Sequence, residues 1–184
     1  SVWGRTHTFG GGPFFDQVES NGEDLLAAPI TLSGQVNGVP IEWKSATWEL
    51  LQSTELLARY HGKVESKDGT LVLDIVAAVE FDGMAYFQAR LQPSRTPMID
   101  DLKLVIPFKK EQAKLFMRSG VEGYSWNDFS TWRLSGNIPD KPLPSKFSNW
   151  FWVGTQSRGL EWFAEHHLGW TPANPGEVIT VVPG

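Results

Sequence analysis

From Thr70 to Glu80 the chain alternates. Leu71, Leu73, Ile75, Ala77 and Val79 share one side, with Val72, Asp74, Val76, Ala78 and Glu80 on the other. A two-residue period of this kind predicts a strand with one face against a core. Leu102, Leu104 and Ile106 repeat it opposite Asp101, Lys103 and Val105. Between such runs lie Asn21-Gly22, Asn37-Gly38, Asp68-Gly69 and Asp82-Gly83, dipeptides that supply the positive φ angles of tight hairpin turns. The pattern predicts strands near 3–9, 29–36, 39–43, 45–52, 55–66, 70–80, 84–91, 101–107, 113–118, 149–154, 159–165 and 177–182. Helical spacing appears only at Leu56, Leu57 and Tyr60 and at Ala113, Phe116 and Met117. Both stretches are too short to stand as helices without packing support and are read as strand. The expected fold is all-β, an antiparallel β-sandwich of about ten to twelve strands with little helix, a closed barrel being its main competitor.

With 184 residues, 41% hydrophobic and 20% charged, the chain has the make-up of one ordinary globular domain, and 1–184 is read as a single module. Ser119 to Ser148 is a long irregular stretch carrying Gly120, Gly123, Gly136, Pro139, Pro142 and Pro144 together with Tyr124, Trp126, Phe129 and Trp132. A loop of that length inside a compact domain tends to be functional. The sequence opens at Ser1 and closes with a strand-like Val178–Val182 followed by Pro183-Gly184, which suggests a module cut from a longer protein.

A formal charge of −5 argues against a nucleic-acid surface, which would need clustered Lys and Arg to displace counterions. There is no cysteine, so a disulfide framework, a thiol nucleophile and a thiolate metal site are all excluded. No apolar run approaches the roughly 20 residues of a membrane-spanning helix. His166-His167 is the one histidine cluster, but neighbours on a strand diverge, so no metal site and no cofactor are expected. Gly154-Thr155-Gln156-Ser157-Arg158-Gly159 has one residue too many before the serine for a nucleophile elbow and reads as a hairpin loop. Gly10-Gly11-Gly12-Pro13 lacks a phosphate-loop lysine and reads as a flexible turn or bulge.

The aromatic residues carry the remaining information. Nine tryptophans occur, four of them between Trp150 and Trp170. Most are expected in an inter-sheet core. Trp150 and Trp152 fall on one face of a strand and Phe151 and Val153 on the other, so that strand is either covered on both sides or offers one face as a binding platform. Indole faces suit stacking on sugar rings. Trp126, Trp132 and Trp170, set among Gly, Asn, Asp and Pro, are the candidates for exposure, with Arg158 and His166 as polar companions in a carbohydrate-binding site. For catalysis the weak candidates are Glu161 and Glu165, with Asp128 or Asp140 arriving from the long stretch. On a strand the two glutamates would stand ~13 Å apart, beyond the roughly 5–9.5 Å of a glycosidase pair.

Gly4-Arg5-Thr6-His7-Thr8-Phe9, Phe81-Asp82-Gly83-Met84, Ile106 to Ala113, Trp152-Val153-Gly154, Arg158 to Glu165 and Gly169-Trp170 together resemble the β-sandwich region of large secreted bacterial glycoside hydrolases, similar in layout to glycoside hydrolase family 123. The resemblance spans most of the chain and is most specific in its last block. It implies a (β/α)8 barrel elsewhere in the same polypeptide that carries catalysis, and a secreted or periplasmic location. It supplies no catalytic residue for the sandwich. The expected function is therefore a non-catalytic module of a polysaccharide-processing protein, scaffolding a catalytic domain or binding carbohydrate. The alternatives are a glycoside hydrolase acting through Glu161 or Glu165, and a structural or partner-binding domain.

Overall fold

The computed structural model describes residues 3–94, 96, 98–119, 133–164, 170 and 172–183. Among these the chain is all-β: sixteen strands in several antiparallel sheets and no helix, an arrangement consistent with a sandwich. The chain divides into two compact units, Ser1–Phe108 and Lys109–Gly184.

The first unit holds β1 (Arg5–Phe9), β2 (Phe15–Ser20), β3 (Glu23–Asp24), β4 (Thr31–Val36), β5 (Val39–Pro40), β6 (Thr47–Ser53), β7 (Leu57–Glu65), β8 (Leu71–Glu80), β9 (Ala85–Pro93) and β10 (Ile99–Val105). They form three sheets, β1-β2-β3, β10-β4-β5 and β6-β7-β8-β9. The alternation of β8 is realised through Ala77: Leu71, Leu73, Ile75 and Ala77 are no more than 1% exposed, and Val79 is half-buried. Val64, Leu73 and Ile75 form the centre of a core that Leu32, Trp43, Trp48, Phe87 and Leu91 close. On the same inner face the rings of Phe9, Trp48 and Tyr60 meet, Phe9 lying 4.4 Å from Trp48 and 4.7 Å from Tyr60. Trp43 and Trp48 are thus core residues, and each indole N–H finds a carbonyl, Leu32 and Gly12 respectively. Trp48 stands directly across from Gly62. A Cβ on that glycine would come within 2.5–2.7 Å of the indole, so the ring needs the bare backbone to lie against the sheet.

All four Asn-Gly and Asp-Gly dipeptides lie at turns between paired strands, and each glycine has positive φ. At Asn37-Gly38 both residues do, at 51° and 75°, as a type I′ turn requires. That turn is clamped to β10, whose Asp100 carboxylate accepts from the Gly38 N–H while Asn37 Oδ1 accepts from Met98 N–H. The Gly10–Pro13 turn is held as well, by the Asp16 carboxylate accepting from the N–H groups of Gly11 and Gly12.

The second unit holds β11 (Leu115–Ser119), β12 (Arg133–Asn137), β13 (Leu143–Ser145), β14 (Trp150–Gly154), β15 (Gly159–Phe163) and β16 (Ile179–Val181). Four build a sheet in the order β12-β11-β14-β15, and β13 pairs with β16. The stretch expected to be irregular from Ser119 to Ser148 therefore contains two strands, β12 and β13, each held by a partner remote in sequence. The helical spacing before Met117 amounts to a single turn, in which Gln112 and Ala113 N–H both donate to the Lys109 carbonyl, before the chain enters β11.

Candidate functional site

The β12-β11-β14-β15 sheet has two unlike faces, and its register fixes which residues occupy each. Pairing sets Phe151 across from Trp162 and Arg118, and Val153 across from Leu160 and Phe116. This face is the inner one. Phe116 and Phe151 are buried, with rings 6.1 Å apart and within 14° of parallel. Trp162 joins it, meeting Phe147 at 6.2 Å and Trp170 at 5.8 Å, both edge-on.

On the opposite face Trp150 stands across from Phe163, and Trp152 stands between Met117 and Glu161. Phe163 is 48% exposed. Glu161 is exposed, and Trp150, Trp152 and Met117 are half-buried. The next row of this face holds the glycine pair Gly154 and Gly159. A Cβ on either would sit 2.6 Å from indole atoms of Trp152, so the Trp152 ring lies flat across two bare backbone positions. A ring in this pose presses one π-face on the sheet, and the residue as a whole is half-buried. Trp48 over Gly62 has the same relation to its sheet, but there Phe9 covers the ring.

At the glycine end of Trp152 the β14–β15 turn adds polar groups. Thr155 N–H donates to the Arg158 carbonyl at 2.7 Å, and Ser157 leans on Thr155 Oγ1. Lys114, Leu115, Thr155, Gln156 and Ser157 line an open recess of about 450 Å³ beside it. A flat aromatic surface, hydrogen-bonding groups of both kinds at its end, a carboxylate on one flank and solvent access are the elements that recognise a hydroxyl-rich ligand with an apolar face.

The residues singled out from sequence fall in different places. Glu161 lies on the open face, and its cross-strand neighbour on β14 is Trp152 rather than another carboxylate. Arg158 is half-buried in the turn next to Gly159. Trp170 is 38% exposed but packs edge-on to Trp162, on the inner-face side. Asp140 is exposed between β12 and β13. Trp126, Asp128, Trp132, Glu165 and His166 lie outside the described residues. Sequence reasoning passed over Lys114, Gln156 and Ser157, and it did not see what Gly154 and Gly159 do for Trp152. The available signal was a tryptophan two residues before a glycine that closes a hairpin. Among the described residues no group of three His, Asp or Glu side chains is placed to hold a metal ion, and no helix is long and apolar enough to cross a membrane.

The profile of the family described as glycoside hydrolase 123, third domain, matches residues 12–167. No curated protein and no solved structure matches the chain.

Proposed function

The chain belongs to the glycoside hydrolase 123 third-domain family, and from that membership we propose that it is a non-catalytic accessory module which binds carbohydrate for a catalytic barrel domain of the same polypeptide. The observation that carries the reading is the Trp152 indole laid over Gly154 and Gly159 on the open face of its sheet. Trp150 and Phe163 extend that apolar surface along the strands, and Glu161, Arg158 and Gln156 supply hydrogen bonds around it. An accessory role fits the surroundings of Glu161, whose neighbour across the strands is an indole where a glycosidase would need a second carboxyl group. Trp170 contributes by bracing Trp162, and a polysaccharide ligand places the protein in a secreted or periplasmic setting.

Affinity electrophoresis in gels cast with a panel of polysaccharides tests this. Retardation by at least one polysaccharide, weakened tenfold or more in Trp152→Ala, about 1.4 kcal/mol, is the expected result. A chain that migrates unretarded through every gel would leave scaffolding of the catalytic domain as the module's role.

A further inference from the structure

The β6-β7-β8-β9 sheet ends on two unlike edges. At one, the register of β6 against β7 shifts between Leu50 and Gln52, an irregularity that spoils that edge for further pairing. At the other, β9 pairs with β8 without a break from Ala85 to Pro93. Along its nine residues β9 carries one charge, Arg90, and its proline stands last. Charges, prolines and bulges are the devices that keep an edge strand from pairing, and β9 largely lacks them.

Hydrogen bonds at the two ends of β9 fix which of its backbone groups are spent. Glu80 N–H donates to the Met84 carbonyl, and Ser94 N–H donates to the Thr70 carbonyl. Backbone groups alternate in direction along an antiparallel strand, so the even-numbered residues from Met84 to Ser94 bond to β8. The N–H and C=O groups of Ala85, Phe87, Ala89 and Leu91 therefore point the other way, where among the described residues no strand pairs with them.

The side chains of these residues belong to the core face, because Phe87, Ala89 and Leu91 stand across from Ala77, Ile75 and Leu73. Phe87 and Leu91 pack on the core. Ala89 is exposed although Ile75 beside it is fully buried. The core row thus runs out into solvent at the middle of the strand.

A second copy of β9 fits this edge. Turned antiparallel about Ala89, it sets Ala89 against its own twin, Phe87 against Leu91, Gln88 against Arg90 and Ala85 against Pro93. Each odd-numbered residue then meets another whose backbone groups are free, and Pro93 still offers its carbonyl. Apolar side chains meet on the core face, and the one charge meets an amide rather than its like. Centring the pair on Arg90 instead would oppose two guanidinium groups. The two-fold axis through Ala89 stands perpendicular to the sheet, so both core faces stay on one side, as an isologous contact requires.

We infer that the β9 edge is a homodimer interface, joining Ala85–Pro93 of two copies antiparallel about Ala89 into one continuous sheet. A contact one strand wide and roughly 30 Å long falls at the small end of specific interfaces, so the dimer forms reversibly and with concentration.

Sedimentation velocity of the whole chain from ~10 μM to ~1 mM tests it, and the parent should move toward dimer across that range. Ala89→Pro removes an N–H that β8 does not use, at an edge position that tolerates proline. Ala89→Lys brings two like charges together only in the dimer. Both should associate about tenfold or more weakly than the parent with the urea midpoint kept. The chain has no cysteine, so single cysteines report the register. Oxidised Ala89→Cys should form a disulfide-linked dimer, its two Cα atoms about 5.5 Å apart. Gln88→Cys, its two copies roughly 8 Å apart on the diagonal, should not. A parent that stays monomeric throughout, an Ala89→Lys chain that dimerises as tightly as the parent, or a Gln88→Cys chain that links as fast as Ala89→Cys would each overturn the inference.

Discussion

Trp152 lies across Gly159, its neighbour on the adjacent strand one step along, with indole Nε1 and Cε2 at 2.6 Å from where a Cβ on that residue would be. The absence of a side chain at one position thus sets the pose of an aromatic ring at another. The same Cβ would also meet the Val153 carbonyl at 2.5 Å, so the site has no slack on the backbone side.

Gly159→Ala should therefore lift the ring and strain the β14–β15 pairing. The expected loss is about 1–3 kcal/mol of stability, typical of overpacking, read as a lower urea midpoint, together with weakened retardation in polysaccharide gels. A variant as stable as the parent would show that the ring can move aside at no cost.

Gly62→Ala poses the same question in a covered setting. Trp48 is pinned between Gly62 and Phe9, so the ring has nowhere to go and the loss should again be about 1–3 kcal/mol. Urea unfolding followed by tryptophan fluorescence measures it.

The hairpin at Asn37-Gly38 gives a backbone test free of packing. Gly38 has φ of 75° and no atom within 4 Å of where a Cβ would stand, so Gly38→Ala changes only conformational preference. A loss of about 1 kcal/mol is expected, and equal stability of the two proteins would contradict the turn geometry.

The His7 imidazole provides a pH dependence. Its pKa is about 4 in the folded chain, lowered by burial and then by Arg5, against 6.5 ordinarily. Between those values the unfolded chain binds a proton that the folded chain refuses, so stability is fully present above pH 6.5 and falls as the pH drops toward 4. Discounted for the ring's partial contact with solvent, the loss is on the order of 1–2 kcal/mol. Asp68 is held low by Ser66 and Thr70. Its contribution runs out at lower pH, as protons fill the folded carboxylate, and it is common to wild type and variant. Urea midpoints at pH 7 and pH 4.5 should accordingly fall less in His7→Asn than in wild type. Parallel falls would place the titration elsewhere.

What could be read from the chain follows from where each structural cause resides. The turns at Asn21-Gly22, Asn37-Gly38, Asp68-Gly69 and Asp82-Gly83 were legible because their cause is local backbone chemistry. The strand at β8 was legible because Leu71, Leu73, Ile75 and Ala77 on one of its faces are all core. β2 was not. Its buried residues Phe15 and Val18 are three apart, and Gln17 turns its amide to the backbone, accepting from Leu26 N–H and donating to the Leu26 carbonyl. That polar side chain does structural work which a hydrophobic pattern cannot register. β12, Arg-Leu-Ser-Gly-Asn, is polar and carries a glycine, and it is a strand because β11 pairs with it.

The site was half legible in the same sense. Alternation placed Trp150 and Trp152 on one face and Phe151 and Val153 on the other, and this holds in the sheet. Which face is open depends on Phe116, a residue 35 positions before Phe151. The lie of the Trp152 ring depends on cross-strand register. Neither is encoded within the segment itself.

The most direct measurement is the indole N–H resonance of Trp152, assigned through Trp152→Phe, during titration with a soluble oligosaccharide of whichever polysaccharide retards the chain. A saturable shift of the Trp152 signal, with Trp43 and Trp48 unmoved in the core, is the predicted result. A Trp152 signal that stays fixed while the ligand is bound would contradict the proposal that this ring receives the sugar.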